Sequence, residues 1–214
     1  MMTIYLFFVG AILASFLGLV ICRFPDASII RPASHCDHCK RRLSWYELVP
    51  IISQIALCFK CRTCHKPIPK WFCAFGLASA LCLASVTTGR LTLPLYLLFL
   101  MSVVLAWYDI KEHAFPLVLW VIFTGGILLL TGISPLFCGL LVLSAIVSRY
   151  SNSLGSGDIL YLATTSLVIP FSKLPFSLFL ASSLGILAFL IQKDKKELPF
   201  VPFLSIGVAI VCLL

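Results

Sequence analysis

The feature that most constrains this chain is its series of apolar runs, most of them close to the length that crosses a lipid bilayer. A helix needs about 20 apolar residues for a full crossing, and roughly 17 is the practical minimum. Of the 214 residues, 61% are hydrophobic and only 11% are charged. A soluble domain of this size cannot bury so much apolar surface. The sequence therefore predicts an all-α, polytopic membrane helix bundle that has lipid as its solvent.

We predict about eight transmembrane helices, separated by short polar segments. The predicted spans are 3–22, 72–88, 91–107, 116–131, 133–148, 158–171, 174–192 and 200–214. The fifth, sixth and eighth of these are short for a full crossing. The one long polar segment follows the first span, and it divides the chain into three predicted domains: a first transmembrane helix (1–22), a cytosolic loop (23–71) and a membrane-embedded domain (72–214).

The distribution of Lys and Arg predicts the orientation of the spans. Short loops rich in these residues stay on the cytosolic side of a membrane, whereas Asp and Glu contribute little. With the N-terminus outside, only Arg90 and Lys173 of the 16 basic residues fall on the outer side. We therefore expect both termini outside and the loop 23–71 in the cytosol. This orientation also explains the net charge of +8. No nucleic acid is expected as a partner, because no aromatic stacking pattern accompanies the basic residues.

Four of the ten cysteines form two Cys-x-x-Cys pairs in the predicted cytosolic loop: Cys36, Cys39, Cys61 and Cys64. Two residues between thiols let both sulfurs face one tetrahedral ion, and the intervening chain can fold back to complete the site. The alternatives are a pair of disulfides or a redox dithiol, and a reducing cytosol disfavours both. Because the loop is too small to fold on apolar burial alone, we predict a structural Zn2+ in a zinc-ribbon-like arrangement.

Two of the eight acidic residues lie at predicted span ends on the cytosolic side, Asp109 after the third span and Asp158 at the start of the sixth. Carboxylates at such positions are costly, so each is a candidate functional residue. Two carboxylates in a poorly solvated site can share one proton, so that one acts as a base on water and the other as an acid on a scissile carbonyl. Gly155 and Gly157 would let the backbone bend there and approach an extended substrate closely.

Each aspartate also has an ordinary structural interpretation. Asp158 would be a helix N-cap after a Gly-rich turn, and Asp109 a helix end at the membrane interface. A non-enzymatic function is open as well, namely a transporter or scaffold whose aspartates bind protons or cations and whose zinc loop docks a partner. That alternative predicts acidic residues near the bilayer midplane, and the two aspartates are predicted at the cytosolic edge instead.

The same residues resemble the motifs of type IV prepilin leader peptidases, a family of GxGD-type membrane aspartyl proteases, and particularly its short late-competence members from Gram-positive bacteria. The opening motif of that family reads GSFLNVVIYRLP, and its closing element reads IPFGPFL. The resemblance covers nearly the whole chain, in the segments Ala14–Pro25, Pro32–Cys39, Leu43–Ser53, Cys61–Cys64, Asp109–Lys111 with Phe115–Pro116, Gly155–Asp158 and Pro199–Phe203.

This resemblance implies a multi-pass enzyme of the bacterial plasma membrane with its active site facing the cytosol. It implies that Asp109 and Asp158 are the catalytic pair, and that the substrates are pilin or pseudopilin precursors that lose a short basic leader after a glycine. Some members of the family then methylate the new N-terminus with S-adenosylmethionine. The chain departs from the family pattern at four positions: Ala14, Gly18, Phe75 and Leu160. None of these is a protease carboxylate, so the resemblance predicts cleavage and leaves methylation open.

Overall fold

A computed structural model describes residues 1–36, 38–150, 155–191 and 198–213 of the chain. Within these ranges the protein is all-helical, with two isolated β-bridges and no strand. The elements are α1 (Met2–Arg23), a 3₁₀ helix (Trp45–Leu48), α2 (Ile52–Ala56), α3 (Trp71–Val86), α4 (Leu93–Glu112), α5 (Leu117–Thr131), α6 (Pro135–Tyr150), α7 (Ser156–Val168), α8 (Leu174–Ile191) and α9 (Val201–Leu213). The prediction of an all-α fold is confirmed.

Helices α1 and α3 to α9 coincide with the apolar runs that were predicted to be spans. Their ends differ from the predicted ends by a few residues, most clearly in α4, which continues to Glu112 instead of ending at residue 107. Polar residues end the apolar run without ending the helix, because a helix satisfies its backbone hydrogen bonds internally whatever the side chains are. Asp109 therefore lies within the last turn of α4. The 3₁₀ helix and α2, both inside the polar loop, were not predicted.

The lengths and hydropathies of the helices are those of a membrane protein. Three of them, α1, α4 and α8, are long and apolar enough to cross a bilayer. Four further apolar helices, α3, α5, α6 and α9, have between 10 and 17 residues. Large apolar side chains are widely exposed on these helices, as a lipid-facing surface requires; Ile122, Leu129 and Phe179 are 64%, 89% and 65% exposed. The number of spans and the orientation of the chain stay predictions.

The chain divides into two compact units, Met1–Thr92 and Leu93–Leu214. In the first unit α1 packs closely against α3, since a Cβ on Gly10 would stand 2.7 Å from the carbonyl oxygen of Ser79. The Ser79 hydroxyl donates a hydrogen bond of 2.8 Å to the Gly10 carbonyl. Small residues and hydrogen bonds of this kind hold helices together in lipid, where apolar burial contributes little. The predicted division into three domains by function stays a prediction.

The second unit is built around α4, which packs against α5, α7 and α9. Met101 and Leu105 of α4 are buried in its core together with Tyr161 of α7 and Leu204 of α9. Helix α8 packs against α9 at Gly207, where a Cβ would stand 2.5 Å from the carbonyl oxygen of a residue on α8. The helix that carries Asp109 is thus in contact with the helix that carries Asp158, and with α9.

Candidate active site and metal site

Asp109 is held by the beginning of α9. The backbone N–H of Val201, the first residue of that helix, donates a hydrogen bond of 2.9 Å to Oδ2 of Asp109. The Asp109 carboxylate is half-buried. The first N–H groups of a helix have no partner within the helix, so they are available to a carboxylate from elsewhere in the fold. His113, one turn further along the chain, donates its backbone N–H to the Asp109 carbonyl at 3.2 Å.

Asp158 lies in the first turn of α7 and is also half-buried. Its own N–H donates to the Gly155 carbonyl at 3.1 Å. The N-cap of α7 is Gly155, and among the described residues no side chain caps this helix. The interpretation of Asp158 as a simple N-cap is therefore wrong, and its carboxylate is available for other partners.

The two glycines before Asp158 are required for space. A Cβ on Gly155 would stand 2.6 Å from Oδ2 of Asp158, and a Cβ on Gly157 would stand 2.6 Å from the ring of Phe115. The φ of Gly155 is −65°, which every residue adopts easily. A side chain at position 155 would thus displace the Asp158 carboxylate without straining the backbone. The closer approach to a substrate that we expect at these glycines stays a prediction.

The two aspartates lie on α4 and α7, which pack against each other in the second unit. The charge of Asp109 acts on Asp158. On the other side of α7, the Ser144 hydroxyl of α6 donates to the Ser156 carbonyl at 3.0 Å and fixes the turn that presents Asp158. The site therefore consists of two half-buried carboxylates on neighbouring helices. A backbone N–H donates a hydrogen bond to one of the two carboxylates, that of Asp109.

The four predicted metal ligands form one cluster in the first unit. The sulfurs of Cys36, Cys39, Cys61 and Cys64 all lie within 4.8 Å of one another. The Sγ atoms of Cys36 and Cys64 are 3.7 Å apart, and those of Cys39 and Cys61 are 4.0 Å apart. All four are free thiols, which excludes the paired-disulfide alternative for this structure. Tetrahedral Zn2+ with Zn–S bonds of about 2.3 Å would separate its sulfurs by about 3.8 Å, so the cluster fits a metal ion of this kind.

The two Cys-x-x-Cys pairs have the same local fold. Cys36 N–H donates to the Arg41 carbonyl at 3.0 Å, and Cys61 N–H donates to the Lys66 carbonyl at 2.9 Å. The residue after each pair has a positive φ, 55° at Lys40 and 54° at His65. Backbone N–H groups of Cys64 and Thr63 lower the pKa of the Cys61 thiol to about 6, so it is largely a thiolate at neutral pH. Two matched turns thus present four sulfurs to one point.

An ion pair supports the loop between these two turns. Arg41 Nη2 donates to Glu47 Oε1 at 2.5 Å, and Ser44 N–H donates to Glu47 Oε2 at 2.8 Å. The Glu47 side chain is only 3% exposed. The pKa of the Glu47 carboxyl is lowered, first by the backbone hydrogen bond from Ser44 and then by Arg41.

At the other end of the loop, Arg23 Nη1 donates to the Pro32 carbonyl at 2.7 Å. This hydrogen bond connects the end of α1 to the chain before the first cysteine.

Sequence reasoning identified both aspartates and all four cysteines but missed the groups that orient them. The segment Pro199–Phe203 was noted only as a motif, and the structure shows that its backbone binds Asp109. Phe115 was likewise part of a motif without a role, and it packs on Gly157. The motif matches were the available signal for both, although they did not indicate which contacts these segments make.

Several known proteins are similar to this chain. A type 4 prepilin-like proteins leader peptide-processing enzyme of Escherichia coli O78:H11 is 30% identical over an alignment of 239 positions. That alignment covers 92% of this chain and 88% of that protein. A prepilin leader peptidase/N-methyltransferase of Bacillus subtilis is 29% identical over an alignment of 224 positions, which covers 94% of this chain and 90% of that protein. Another, from Myxococcus xanthus, is 37% identical over 119 residues, 53% of this chain but only 36% of that protein.

The model of the Bacterial Peptidase A24 N-terminal domain matches residues 8–89. This stretch contains α1, the loop with the four cysteines and α3, and it lies within the first compact unit. No solved structure matches the chain. The Escherichia coli relative is aligned along nearly its whole length, so the similarity extends over both units. This chain belongs to the family of type IV prepilin leader peptidases.

Proposed function

We propose that this protein is a prepilin peptidase, an aspartic endopeptidase that removes the basic leader from type IV pilin-like or competence pseudopilin precursors. Membership of the family supports peptidase activity, because the names of its similar relatives state leader-peptide processing. The observation that carries the aspartic mechanism is the pair of half-buried carboxylates, Asp109 and Asp158, close enough to interact on two packed helices. A non-enzymatic transporter or scaffold is not favoured.

In the proposed reaction the two carboxyl groups carry one proton between them. Asp109 takes a proton from a water molecule, and the water oxygen forms a bond to the scissile carbonyl carbon while Asp158 gives its proton to the carbonyl oxygen. The C–N bond then breaks: the leaving amine takes a proton from Asp109, and Asp158 takes back a proton from one hydroxyl of the intermediate, which restores the shared proton. The N–H of Val201 stabilises a carboxylate anion, which supports Asp109 as the base.

We assign the metal site a structural role. The four cysteines fit Zn2+ in their donor type and their sulfur separations. All four positions of a tetrahedral ion would be filled by thiolates, so no open position is left for water or substrate. The ion would stabilise a loop in which few side chains are buried, and it takes no part in peptide cleavage.

We propose that the active site faces the cytosol at the surface of the bacterial plasma membrane. The basic residues of the chain support this orientation by the positive-inside rule. A pilin-like precursor carries its leader next to an apolar segment, so insertion of that segment in the same bilayer would hold the scissile bond near the two aspartates. The membrane would thereby contribute to substrate positioning.

The first test is co-expression with a pilin-like precursor, with mass spectrometry of the product's N-terminus. The wild-type protein is expected to yield the mature form, and Asp109→Asn and Asp158→Asn are each expected to abolish it, because neither amide can exchange a proton with water or carbonyl. Asp26→Asn, in the polar loop, is the matched control and should be fully active. Mature product from either of the first two variants would contradict the catalytic assignment.

The same spectrum tests methylation. The Bacillus subtilis relative is named a leader peptidase/N-methyltransferase, and S-adenosylmethionine would be the methyl donor for such an activity. A mass increase of one methyl group on the mature N-terminus would establish this second activity, and an unmodified N-terminus in cells that produce S-adenosylmethionine would exclude it for that substrate.

A further inference from the structure

A buried phenol lies behind the two aspartates. The Tyr161 hydroxyl of α7 and the Ser102 hydroxyl of α4 are 2.7 Å apart. Tyr161 is 0% exposed and Ser102 is 8% exposed. Val201 and Leu204 of α9 are buried in the same core as Tyr161. One buried hydrogen bond therefore joins α4 to α7, in a core that these helices share with α9.

The hydrogens in this group can be assigned. The Ser102 hydroxyl donates to the Leu98 carbonyl at 2.7 Å, so its one hydrogen is used and it must accept from Tyr161. The Tyr161 hydroxyl therefore donates to Ser102, and both of these buried hydroxyls have a partner, as a membrane-embedded core requires.

Each of the two joined helices carries one aspartate of the proposed active site. Ser102 lies two turns before Asp109 on α4, and Tyr161 lies one turn after Asp158 on α7. Helix α9, whose first N–H binds Asp109, packs on the same core. Because helices are stiff over one or two turns, a fixed contact at this depth also fixes the relative positions of the groups at the helix ends.

We propose that Tyr161 is a positioning residue of the proposed peptidase, with Ser102 as its partner. The proposal rests on the proposed function, since it assigns a role in that same site. Tyr161 acts by setting the register of α4 against α7. Apolar packing gives little register between helices in lipid, whereas a directional interhelical hydrogen bond does. A misplacement of about 1 Å in a catalytic group can lower a rate by about 100-fold.

The test is Tyr161→Phe, which removes the hydroxyl and keeps the ring. We expect kcat for cleavage of a pilin-like precursor to fall by about tenfold or more, with KM within about twofold of the wild-type value, because the substrate-binding surface is untouched. Ser102→Ala is expected to have a similar effect. The double variant is expected to be no worse than the poorer single variant, since both changes remove the same hydrogen bond.

Ser177→Ala is the matched control. Ser177 is also 0% exposed, and its hydroxyl donates to the Leu174 carbonyl within its own helix, α8. This control should retain wild-type kcat. A loss in Ser177→Ala equal to that in Tyr161→Phe would overturn the proposal, as would a kcat for Tyr161→Phe within about twofold of wild type.

If Tyr161→Phe does not fold, Ser102→Ala decides the question, because it leaves the large side chain in the core. Wild-type kcat in Ser102→Ala would overturn the proposal. This outcome can be told apart from a failure of the proposed function. If the wild type cleaves the precursor, Asp109→Asn abolishes cleavage and Tyr161→Phe leaves it unchanged, only the positioning role is overturned. A wild-type protein that cleaves no precursor overturns both.

Discussion

The backbone N–H of Val201 offers a direct test of how Asp109 is held. It donates to Oδ2 of Asp109 at 2.9 Å from the first position of α9. Val201→Pro removes this donor and leaves the helix intact, because proline is well accommodated at the first position of a helix, where the N–H has no partner within the helix. Val201→Ala is the matched control. It keeps the N–H, and it removes more of the buried valine side chain, which is only 2% exposed, than Val201→Pro does.

The size of the effect follows from the charge on the acceptor. A hydrogen bond to a charged group contributes about 1.5–3 kcal/mol, and about 1.4 kcal/mol corresponds to a factor of ten in rate. If the bond orients Asp109 in the transition state, kcat of Val201→Pro should lie roughly 10- to 100-fold below that of Val201→Ala.

The assay uses detergent-solubilised protein and a pilin-like precursor, with the mature product quantified by mass spectrometry over a range of precursor concentrations. We expect a difference in kcat and little difference in KM, since Val201 is only 2% exposed and both changes leave the surface nearly unaltered. Thermal unfolding of both variants is followed in parallel to confirm that each is folded. Equal kcat values for folded Val201→Pro and Val201→Ala would refute the reasoning.

Three further predictions concern the metal, the glycine turn and the ion pair. Cys36→Ser should lower both the zinc content and the yield of folded protein, and a wild-type protein purified without about one equivalent of zinc by elemental analysis would contradict the assignment. Gly155→Ala should lower cleavage while the melting temperature changes little, because the neighbouring carboxylate can shift; Gly139→Ala, where a Cβ meets nothing within 4 Å, is the control. The lowered pKa of Glu47 means that its pairing with Arg41 stabilises the fold at neutral pH, so the melting-temperature gap between wild type and Glu47→Gln should close as the pH falls below 4.5, the ordinary pKa of the carboxyl. A gap that persists unchanged at lower pH would exclude this role.

Much of the architecture follows from the sequence because the relevant physics is local. Each long apolar run becomes a helix, since a backbone in lipid must satisfy its own hydrogen bonds. The two Cys-x-x-Cys pairs predicted a four-sulfur cluster, because the spacing of two residues is enough to direct both thiols to one point. The loop helices were missed because neither has a hydrophobic period long enough to detect: α2 has five residues.

The candidate site was predictable only in its residue types. The sequence singled out Asp109 and Asp158 because a carboxylate at a span end is costly and therefore rare. It also predicted that helix packing would bring them together, and the structure places them on two helices that are in contact. The sequence did not indicate which groups hold the two aspartates. It explained the glycine at position 155 by bending of the backbone, whereas the structure shows that a glycine there leaves space for the Asp158 carboxylate.

The sequence by itself determined the helices, the membrane environment and the four-cysteine cluster, because each depends on residues near one another in the chain or on composition. Only the tertiary structure decided that Asp109 is bound by the N–H of a residue 92 positions away, and that Tyr161 joins α4 to α7. Every residue except proline has a backbone N–H, so a sequence pattern cannot indicate which N–H will bind a carboxylate. A hydroxyl in an apolar run has many possible partners. Which donor meets which acceptor was settled by how the helices of the second unit pack.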